Sequence, residues 1–327
     1  MTHSVLCLGE AVIDFIPVQA EGGAAYRPCL GGSSYNVARA LGRLGVPTEY
    51  GCAVSTDLFG DQFVAGLTES QVGQRFLQRL EAPSTLGFVS LDQAEPVYAF
   101  YDEGAADRIC EAMPSDLALA GVGTLHFGSI ALIREPTASA YETLFLREAG
   151  GKRLVSFDPN IRASLVRDEA GYRARIDRLL RAADIIKISG ADLDWLFPEI
   201  SHEAAAADWL RHRARVVVIT HGKDGVSGWS RVSHAHAKAI PTEVVDTVGA
   251  GDSFMAGFLA GLHEENLLTP ETLGHPSADA LHQALAYGQK VASATCARRG
   301  ADSPWREQVQ SDGLGKAIHS CLRPRAM

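Results

Sequence analysis

Residues 245–258 read VDTVGAGDSFMAGF and combine small residues, an acid and an apolar run. Gly249, Ala250 and Gly251 leave the backbone N–H groups open to close approach, and the apolar residues after Asp252 predict a buried helix that begins here. In one interpretation Asp252 simply caps that helix, which stabilises it by about 0.5–2 kcal/mol relative to Ala.

The second interpretation of Asp252 is catalytic. The N-terminus of a helix binds anions through its free N–H groups and its dipole. A carboxylate at that point could accept a proton from a hydroxyl while the N–H groups hold a phosphoryl group. Phosphoryl transfer requires this combination of positioning and charge stabilisation.

Two other phosphate-binding motifs are incomplete in this sequence. GKD at 222–224 lacks the preceding glycine and the following Ser or Thr of a P-loop. Phe254 stands where the pattern G-x-G-x-x-G requires its third glycine. A nicotinamide-dependent oxidoreductase is therefore poorly supported.

Strands alternate with helical stretches in the part of the chain that must position Asp252. Apolar runs at 123–132, 153–160, 183–189 and 215–220 predict buried strands, and 138–149 predicts a helix. This alternation predicts an α/β fold with a mostly parallel sheet and helices on both of its faces.

The first ~110 residues interrupt the alternation with additional strand-like segments. Residues 36–45 and 57–72 predict helices, and 46–54 predicts a strand. The alternating segment 86–101 predicts a hairpin that turns near residues 92–95. We therefore expect a small β element beside the main sheet.

Polar residues follow several of the predicted strands. They are Asp158, Asn160, Arg162, Lys187, Ser189, Asp192, Thr220, Gly222 and Lys223. In open α/β sheets, ligands bind beyond the carboxyl ends of the strands. The sequence thus predicts one site at this edge of the sheet.

The composition limits the other classes of function. The chain has 327 residues, 46% of them hydrophobic, and a net charge of -9, which argues against a uniform nucleic-acid-binding surface. The six cysteines form no C-x-x-C pair, and neither a signal peptide nor a membrane span is evident. We expect a cytoplasmic protein that binds neither nucleic acid nor membrane, with a loose tail at 319–327.

Six sequence blocks together resemble the ribokinase-like carbohydrate kinases, the PfkB family. DTVGAGDSFMAGFLAGL resembles the family's C-terminal signature, and LGGSSYNVARALGRLG (30–45) resembles its N-terminal signature about 200 residues earlier. FDPNIR, KISGADLDWL, VVITHGKDG and ARRGADSPW match further blocks in the same order. The resemblance covers nearly the whole chain and implies a single ribokinase-like domain over 1–327.

The resemblance implies a role for each matching residue near the sugar. Asp252 would be the catalytic base, and the backbone N–H groups of residues 249–251 would surround the γ-phosphoryl group. The implied sugar-binding residues are Asp14, Gly31, Gly32, Asn36, Asn160 and Arg162. Arg162 would grip phosphate or a substrate oxygen in a forked geometry.

The resemblance also implies a nucleotide site and two cation sites. Lys187, Ser189 and Asp192 would lie near the ATP phosphates and Mg²⁺, and the short side chain of Asp192 would hold the metal through water. The loop that passes over the nucleotide would contain Thr220, Gly222 and Gly225. Asp246 and the Val248 carbonyl would bind a monovalent cation such as K⁺.

The β element resembles the family's lid, with strands from about 10–30 and 86–107. Such lids close over the sugar, exclude water and often pair between subunits, so the resemblance implies a homodimer. Asp102 and Glu103 stand where acid-sugar kinases usually carry a basic residue, and two acids would repel a sugar carboxylate. Fructose is therefore the favoured substrate, although Arg108 could offset that repulsion.

Other functions remain open on the sequence alone. Within the family, the substrate could be 2-keto-3-deoxygluconate, ribose or a nucleoside. A non-catalytic sugar-binding protein on the kinase fold is a different class, and the intact GAGD argues against it.

Overall fold

A computed structural model describes residues 3–20, 23–90 and 97–310. The predicted turn at 92–95 and the predicted tail at 319–327 lie outside these residues. Within the described ranges, no helix is long and apolar enough to cross a membrane.

The large sheet has eight strands within the described ranges, and the first six in the chain pair in parallel. From one edge to the other they are β14 (His234–Ala237), β13 (Val226–Ser230), β12 (Val216–Thr220), β11 (Ile185–Ser189), β10 (Leu154–Asp158), β9 (Val122–Gly128), β1 (Ser4–Leu8) and β4 (Thr48–Gly51). Strands β13 and β14 extend the sheet by antiparallel pairing. The five central strands β1, β9, β10, β11 and β12 are buried almost throughout, as expected for a sheet covered on both sides.

Helices cover both faces of this sheet, and two separate apolar clusters mark the two layers. One layer contains α1 (Ser33–Arg43), α2 (Leu58–Glu69), α7 (Ala250–Glu264), α8 (Ala278–Cys296) and α9 (Arg306–Gln310). The other contains α3 (Thr137–Glu148), α4 (Glu169–Ala182), α5 (Gly190–Leu196) and α6 (His202–Arg211). Neighbouring residues of β12 face opposite layers, Val216 towards the first and Val217 towards the second. The predicted doubly wound fold is confirmed.

A separate four-stranded sheet lies beside the main body. Its strands are β3 (Gly23–Gly31), β2 (Val12–Ala20), β7 (Thr85–Ser90) and β8 (Val97–Tyr101), in that spatial order. Phe15 and Phe88 stack with their ring centroids 4.6 Å apart, so aromatic pairs between strands help to hold it together. We call this element the small sheet.

Two predicted elements differ from the structure. The strand expected over 123–132 ends at Gly128, and Ser129–Leu132 forms a 3₁₀ helix. The strand expected over 46–54 is two strands in different sheets, β4 and β5 (Ala53–Ser55), and β5 pairs with β6 (Gln78–Leu80). The pattern of apolar residues is continuous through both breaks, so it could not reveal them.

The strand order places a crevice at one end of β1. The chain passes from β1 to β4 on one side, whereas β9 lies on the other side of β1. Helix α1 covers one face and α3 covers the other. Such a switch point leaves an opening at the carboxyl ends of the strands, where ligands bind in this class of fold.

Candidate active site

The N-terminal end of α7 lies at this crevice. Gly249 is the N-cap residue and has a left-handed conformation, with a φ of 74°. A Cβ atom at this position would also lie 2.5 Å from the Cβ of Ala301, so only glycine fits without strain. Ala250 and Gly251 form the first turn, and the buried Asp252 follows them. The small residues therefore serve both the turn and the open backbone that the sequence predicted.

Three side chains donate hydrogen bonds to the Asp252 carboxylate. Ser33 Oγ donates to Oδ1 over 2.6 Å, and Asn36 Nδ2 donates to Oδ2 over 2.9 Å. Asn160 Nδ2 lies 3.4 Å from Oδ1. Burial raises the pKa of Asp252, and the hydrogen bonds from Ser33 and Asn36 oppose that shift. Asp252 is the third residue of α7 rather than its N-cap residue, and side chains from α1 and from the loop after β10 hold its carboxylate.

A polar cavity of about 250 Å³ lies directly in front of Asp252. It is lined by Glu10, Val12, Asp14, Gly32, Ser33, Asn36, Phe100, Ser129, Ile130, Asn160, Arg162, Thr247, Val248, Gly249, Gly251 and Asp252. We call it the sugar-side cavity. It brings together almost all of the predicted sugar-binding residues.

Asp14 reaches this cavity from strand β2 of the small sheet. Burial, with added repulsion from Asp252 and Glu10, raises the pKa of Asp14 to about 7, although Arg162 opposes the shift. Gly31 on the neighbouring strand is essential for this position, since a Cβ atom there would lie 2.2 Å from Asp14 Oδ2. The predicted residue Gly31 therefore acts by leaving space for Asp14.

Glu10 is a buried acid in the same cavity and was not among the predicted site residues. Its Oε1 accepts a hydrogen bond from Ser33 N over 2.7 Å, and its Oε2 accepts one from Ala131 N over 3.3 Å. Burial raises the pKa of Glu10 to about 7, although the nearby Arg108 and the hydrogen bond from Ser33 N oppose the shift. Glu10 holds the start of α1 against the end of β9.

A second, mostly apolar cavity of about 610 Å³ opens on the other side of the α7 N-terminus. It is lined by Thr220, Gly222, Lys223, Gly225, Ala239, Ile240, Pro241, Thr242, Val244, Thr247, Ala250, Gly251, Phe254, Gln289, Ala292, Ser293 and Cys296. We call it the nucleotide-side cavity. The predicted residues Thr220, Gly222 and Gly225 all lie here, and Thr247 and Gly251 line both cavities.

Lys187 forms a buried ion pair with Asp158, 2.7 Å from Nζ to Oδ2. Burial disfavours the ammonium group, but the Asp158 carboxylate outweighs burial and raises the pKa of Lys187. A Cβ atom on Gly251 would lie 3.4 Å from Nζ, so the ammonium group lies close to the first turn of α7. The structure therefore places a fixed positive charge beside the helix N-terminus.

Ser189 and Asp192 lie on the neighbouring helix α5. Ser189 is its N-cap residue and accepts a hydrogen bond from Asp192 N over 3.0 Å. Burial and the nearby Asp158 raise the pKa of Asp192. Asp158 Oδ1 is buried without a hydrogen-bond partner, so an oxygen ligand is available beside Asp192. In the part of the chain that is described, no three His, Cys, Asp or Glu residues cluster as a complete metal site.

Asp246 joins two loops that flank the α7 N-terminus. Its Oδ1 accepts a hydrogen bond from Val248 N over 3.0 Å, and its Oδ2 accepts one from Gly300 N over 2.8 Å. Each carboxylate oxygen keeps a second lone pair. Asp246 therefore already orders the loop that precedes Gly249.

Arg162 makes its hydrogen bonds within its own loop. Its Nη1 donates to Asn160 Oδ1 over 2.7 Å and to the carbonyls of Asn160 and Ile161. Asn160 in turn donates to Ser33 Oγ over 2.9 Å. Arg162 thus braces its own loop and also lines the sugar-side cavity, and its forked grip on a substrate oxygen stays a prediction.

Of the two acids expected to repel a sugar carboxylate, Asp102 has cationic neighbours in the structure. Asp102 Oδ2 lies 3.4 Å from Arg108 Nε and 3.3 Å from Arg134 Nε, so its charge is balanced by two guanidinium groups. Glu103 is exposed at a neighbouring cavity of about 600 Å³. Arg108 therefore offsets the charge of Asp102, as the sequence allowed, whereas the repulsion expected from Glu103 stays a prediction.

Ser33, Glu10 and Asp158 were missed as site residues. Ser33 stands inside the quoted block GGSSYN, and Glu10 stands in the turn after the first strand. Asp158 was recognised only as a polar residue at a strand end. Their partners are distant in the chain, and a single sequence does not reveal such pairs.

Comparison with known proteins identifies the family. The family model described as pfkB family carbohydrate kinase matches residues 2–308. A fructokinase from Rhizobium leguminosarum bv. trifolii is 42% identical over 268 residues, which cover 81% of each chain.

Two solved structures are similar over almost the whole chain. A fructokinase from Xylella fastidiosa with bound ATP has a TM-score of 0.85 and 25% identity, and the match covers 94% of this chain and 97% of that one. A fructokinase from Vibrio cholerae O395, in a form bound to fructose, ADP and calcium ion, has a TM-score of 0.77 and 25% identity, with 92% and 94% covered. This chain therefore belongs to the pfkB family of carbohydrate kinases, as its sequence blocks predicted.

Proposed function

We propose that this protein is an ATP-dependent fructokinase that transfers the γ-phosphoryl group of Mg·ATP to a hydroxymethyl group of fructose. One observation carries the proposal. The buried Asp252 carboxylate lies where a polar cavity and an apolar cavity meet, and Thr247 and Gly251 line both. The choice of fructose rests on the similar fructokinases.

Asp252 acts in this proposal as the general base. It accepts the proton of the attacking hydroxyl, while the N–H groups at the start of α7 stabilise the charge on the transferred group. Its raised pKa makes it a stronger base than an exposed aspartate. Asp14 and Asn36 hold the sugar hydroxyls, and Gly32 lets the sugar approach the backbone.

The nucleotide-side cavity holds ATP in this proposal. Its apolar walls suit a base and ribose, and Lys187 supplies positive charge near the phosphates. The carboxylates of Asp158 and Asp192 suit Mg²⁺ held through water, since hard oxygen ligands are what this ion requires. Bound Mg²⁺ neutralises phosphate charge. We place K⁺ near Asp246 and the Val248 carbonyl, where it would order the loop before Gly249.

Four further features belong to the proposal: the domain organisation, the lid, the oligomeric state and the location in the cell. The chain is one kinase domain over 1–327, and the small sheet is a lid that closes over fructose and excludes water. Tyr26 and Tyr101 of this sheet are exposed, which fits a homodimer formed through the lid. Buried free thiols such as Cys7 and Cys52 fit the reducing cytoplasm.

The test is ATP turnover by the purified protein with Mg²⁺ and K⁺. The sugar panel contains fructose, ribose, 2-keto-3-deoxygluconate, adenosine and a blank. We expect strong stimulation by fructose alone. Stimulation by 2-keto-3-deoxygluconate instead would support the acidic-sugar alternative, while sugar binding without turnover would support a non-catalytic protein.

A further inference from the structure

Four residues form a directional series of hydrogen bonds that ends on the proposed base. Arg162 Nη1 donates to Asn160 Oδ1 over 2.7 Å, and Asn160 Nδ2 donates to Ser33 Oγ over 2.9 Å. Ser33 Oγ then donates to Asp252 Oδ1 over 2.6 Å. Every donor in this series faces towards Asp252.

We propose that Ser33 is a positioning residue that connects the Arg162 guanidinium, through Asn160, to Asp252 and keeps its carboxylate ionised and oriented. The proposal rests on the proposed function, because it assigns a role to Ser33 in the same reaction. Ser33 itself need not touch the sugar for this role.

The contacts of Ser33 fix the direction of its hydroxyl. Its backbone N–H is held by Glu10 Oε1 over 2.7 Å, which fixes the position of the side chain. Asn160 donates to Oγ and occupies one of its lone pairs, so the hydroxyl proton is directed to Asp252. A donor group becomes stronger when a positive group polarises it. Here the Arg162 guanidinium polarises the Asn160 amide, and the amide in turn polarises the Ser33 hydroxyl.

The loop that carries Asn160 is also held in an uncommon conformation. Asn160 has a φ of 40°, which few residues other than glycine adopt. Arg162 donates to the Asn160 carbonyl as well as to its side chain. The loop therefore holds the Asn160 amide in place to contact Ser33.

The charged groups around Asp252 make the hydrogen bond from the Ser33 hydroxyl important for its ionisation. Three acids face its cavity or lie close behind it, Glu10, Asp14 and Asp158, while Lys187 and Arg162 are the nearby cations. Burial and Asp158 favour the protonated form of Asp252, whereas Ser33, Asn36 and Lys187 favour the ionised form. The loss of one strong donor should therefore shift this balance.

Ser34 provides a matched control on the same helix. It is fully buried like its neighbour, but its hydroxyl donates to the Leu8 carbonyl over 2.9 Å. Ser34→Ala removes one buried hydroxyl close to the site without removing a donor to Asp252.

The experiment measures kcat at saturating fructose and ATP against pH in Ser33→Ala, Ser33→Thr and Ser34→Ala, so that the effect of Asp14 on fructose binding does not set the acid limb. We expect Ser33→Ala to move the acid limb to higher pH by about one unit, because a hydrogen bond to a charged group has about that effect. Ser33→Thr restores the wild-type limb, and Ser34→Ala leaves it unchanged. An unchanged limb in Ser33→Ala, with only a raised KM for fructose, would overturn the proposal.

A second measurement does not depend on catalysis. The pKa of Asp252 is followed by NMR in protein labelled with ¹³C at the aspartate carboxyl groups, and the signal is assigned with Asp252→Asn. Ser33→Ala should raise this pKa by about one unit even if fructose proves not to be the substrate. If Ser33→Ala does not fold, Arg162→Met tests the other end of the series. An unchanged Asp252 pKa in the folded variant overturns the proposal.

Discussion

The two cavities that meet at the start of α7 have opposite linings. The sugar-side cavity contains the acids Glu10, Asp14 and Asp252 within about 250 Å³. The nucleotide-side cavity is larger, about 610 Å³, and among its described lining residues Lys223 alone carries a formal charge. Both cavities share the N–H groups of one helix N-terminus.

This difference in lining sets different physical requirements on the two sides of the proposed site. Buried acids are unfavourable to ionise, so the polar side requires fixed donors for each carboxylate. Ser33 and Asn36 supply them for Asp252. In the proposed function the apolar side needs only shape and area, because burial of apolar surface would hold a flat base there. Substitutions on the polar side should therefore change the affinity for fructose, and substitutions on the apolar side should change the KM for ATP.

The largest effect is expected for Asp252→Asn. This variant keeps the size of the side chain but cannot accept the proton, so turnover should fall by about 10²–10⁴ or more. The affinity for ATP, measured by calorimetry, should stay near that of the wild type, because the nucleotide-side cavity is unchanged. Turnover close to normal would remove Asp252 from the role of base.

Asp14→Asn should weaken the binding of fructose without affecting the binding of ATP. Loss of a charged hydrogen-bond acceptor should weaken fructose affinity by about 10–100-fold at pH 8, with a small change in the KM for ATP. The pKa of Asp14 is raised to about 7 by burial, so fructose affinity of the wild type should decline as the pH falls through 7. The Asn variant should lack that decline. A parallel pH dependence in both proteins would assign the titration to another group.

Ala292→Phe should weaken the binding of ATP without affecting the binding of fructose. Ala292 is partly buried on α8 and lines the nucleotide-side cavity, so a larger side chain should occupy space for the base. The KM for ATP should rise by about 10–100-fold, with fructose affinity retained. Ala286→Phe on the same helix, beside a groove between α7 and α8, is the matched control. Equal effects of both variants would indicate damage to α8 rather than a filled cavity.

The smallest effect is expected on stability, for Glu10→Gln. Folding raises the pKa of Glu10 from 4.5 to about 7 through burial, so its protonated form stabilises the fold below pH 4.5, and this contribution is lost as the pH rises through 7. The Gln variant does not titrate, so its Tm relative to the wild type should be higher at pH 8 than at pH 5. The exposed Glu307→Gln is the control. A Tm difference that is the same at both pH values would contradict the assigned pKa.

The local parts of the fold and site were predictable because they depend on neighbours in the chain. Gly249 to Asp252 could be recognised as an open helix start, since small residues and an apolar run are adjacent there. The parallel sheet followed from the alternation of strands and helices. Strands β13 and β14 were not predicted, and the break at Gly128 was hidden within a continuous apolar run.

Contacts between residues that are far apart in the chain could not be predicted in the same way. The hydrogen bond between Ser33 and Asp252 joins residues 219 positions apart. For Asp102 the sequence suggested Arg108 as a possible cationic neighbour, but it did not reveal Arg134, which the fold brings within 3.3 Å of the carboxylate. The net charge at a site depends on which side chains lie close together in the folded chain. The local sequence shows one member of such a pair but not its partner.

The sequence by itself determined the family, the doubly wound sheet and the position of the proposed base, because these are encoded in short motifs and in the periodicity of apolar residues. Only the tertiary structure decided how that base is held. Folding buries Asp252 between two unlike cavities and brings Ser33, Asn36 and Asn160 to its oxygens. Burial changes the energy of a charge, and burial is a property of the folded chain.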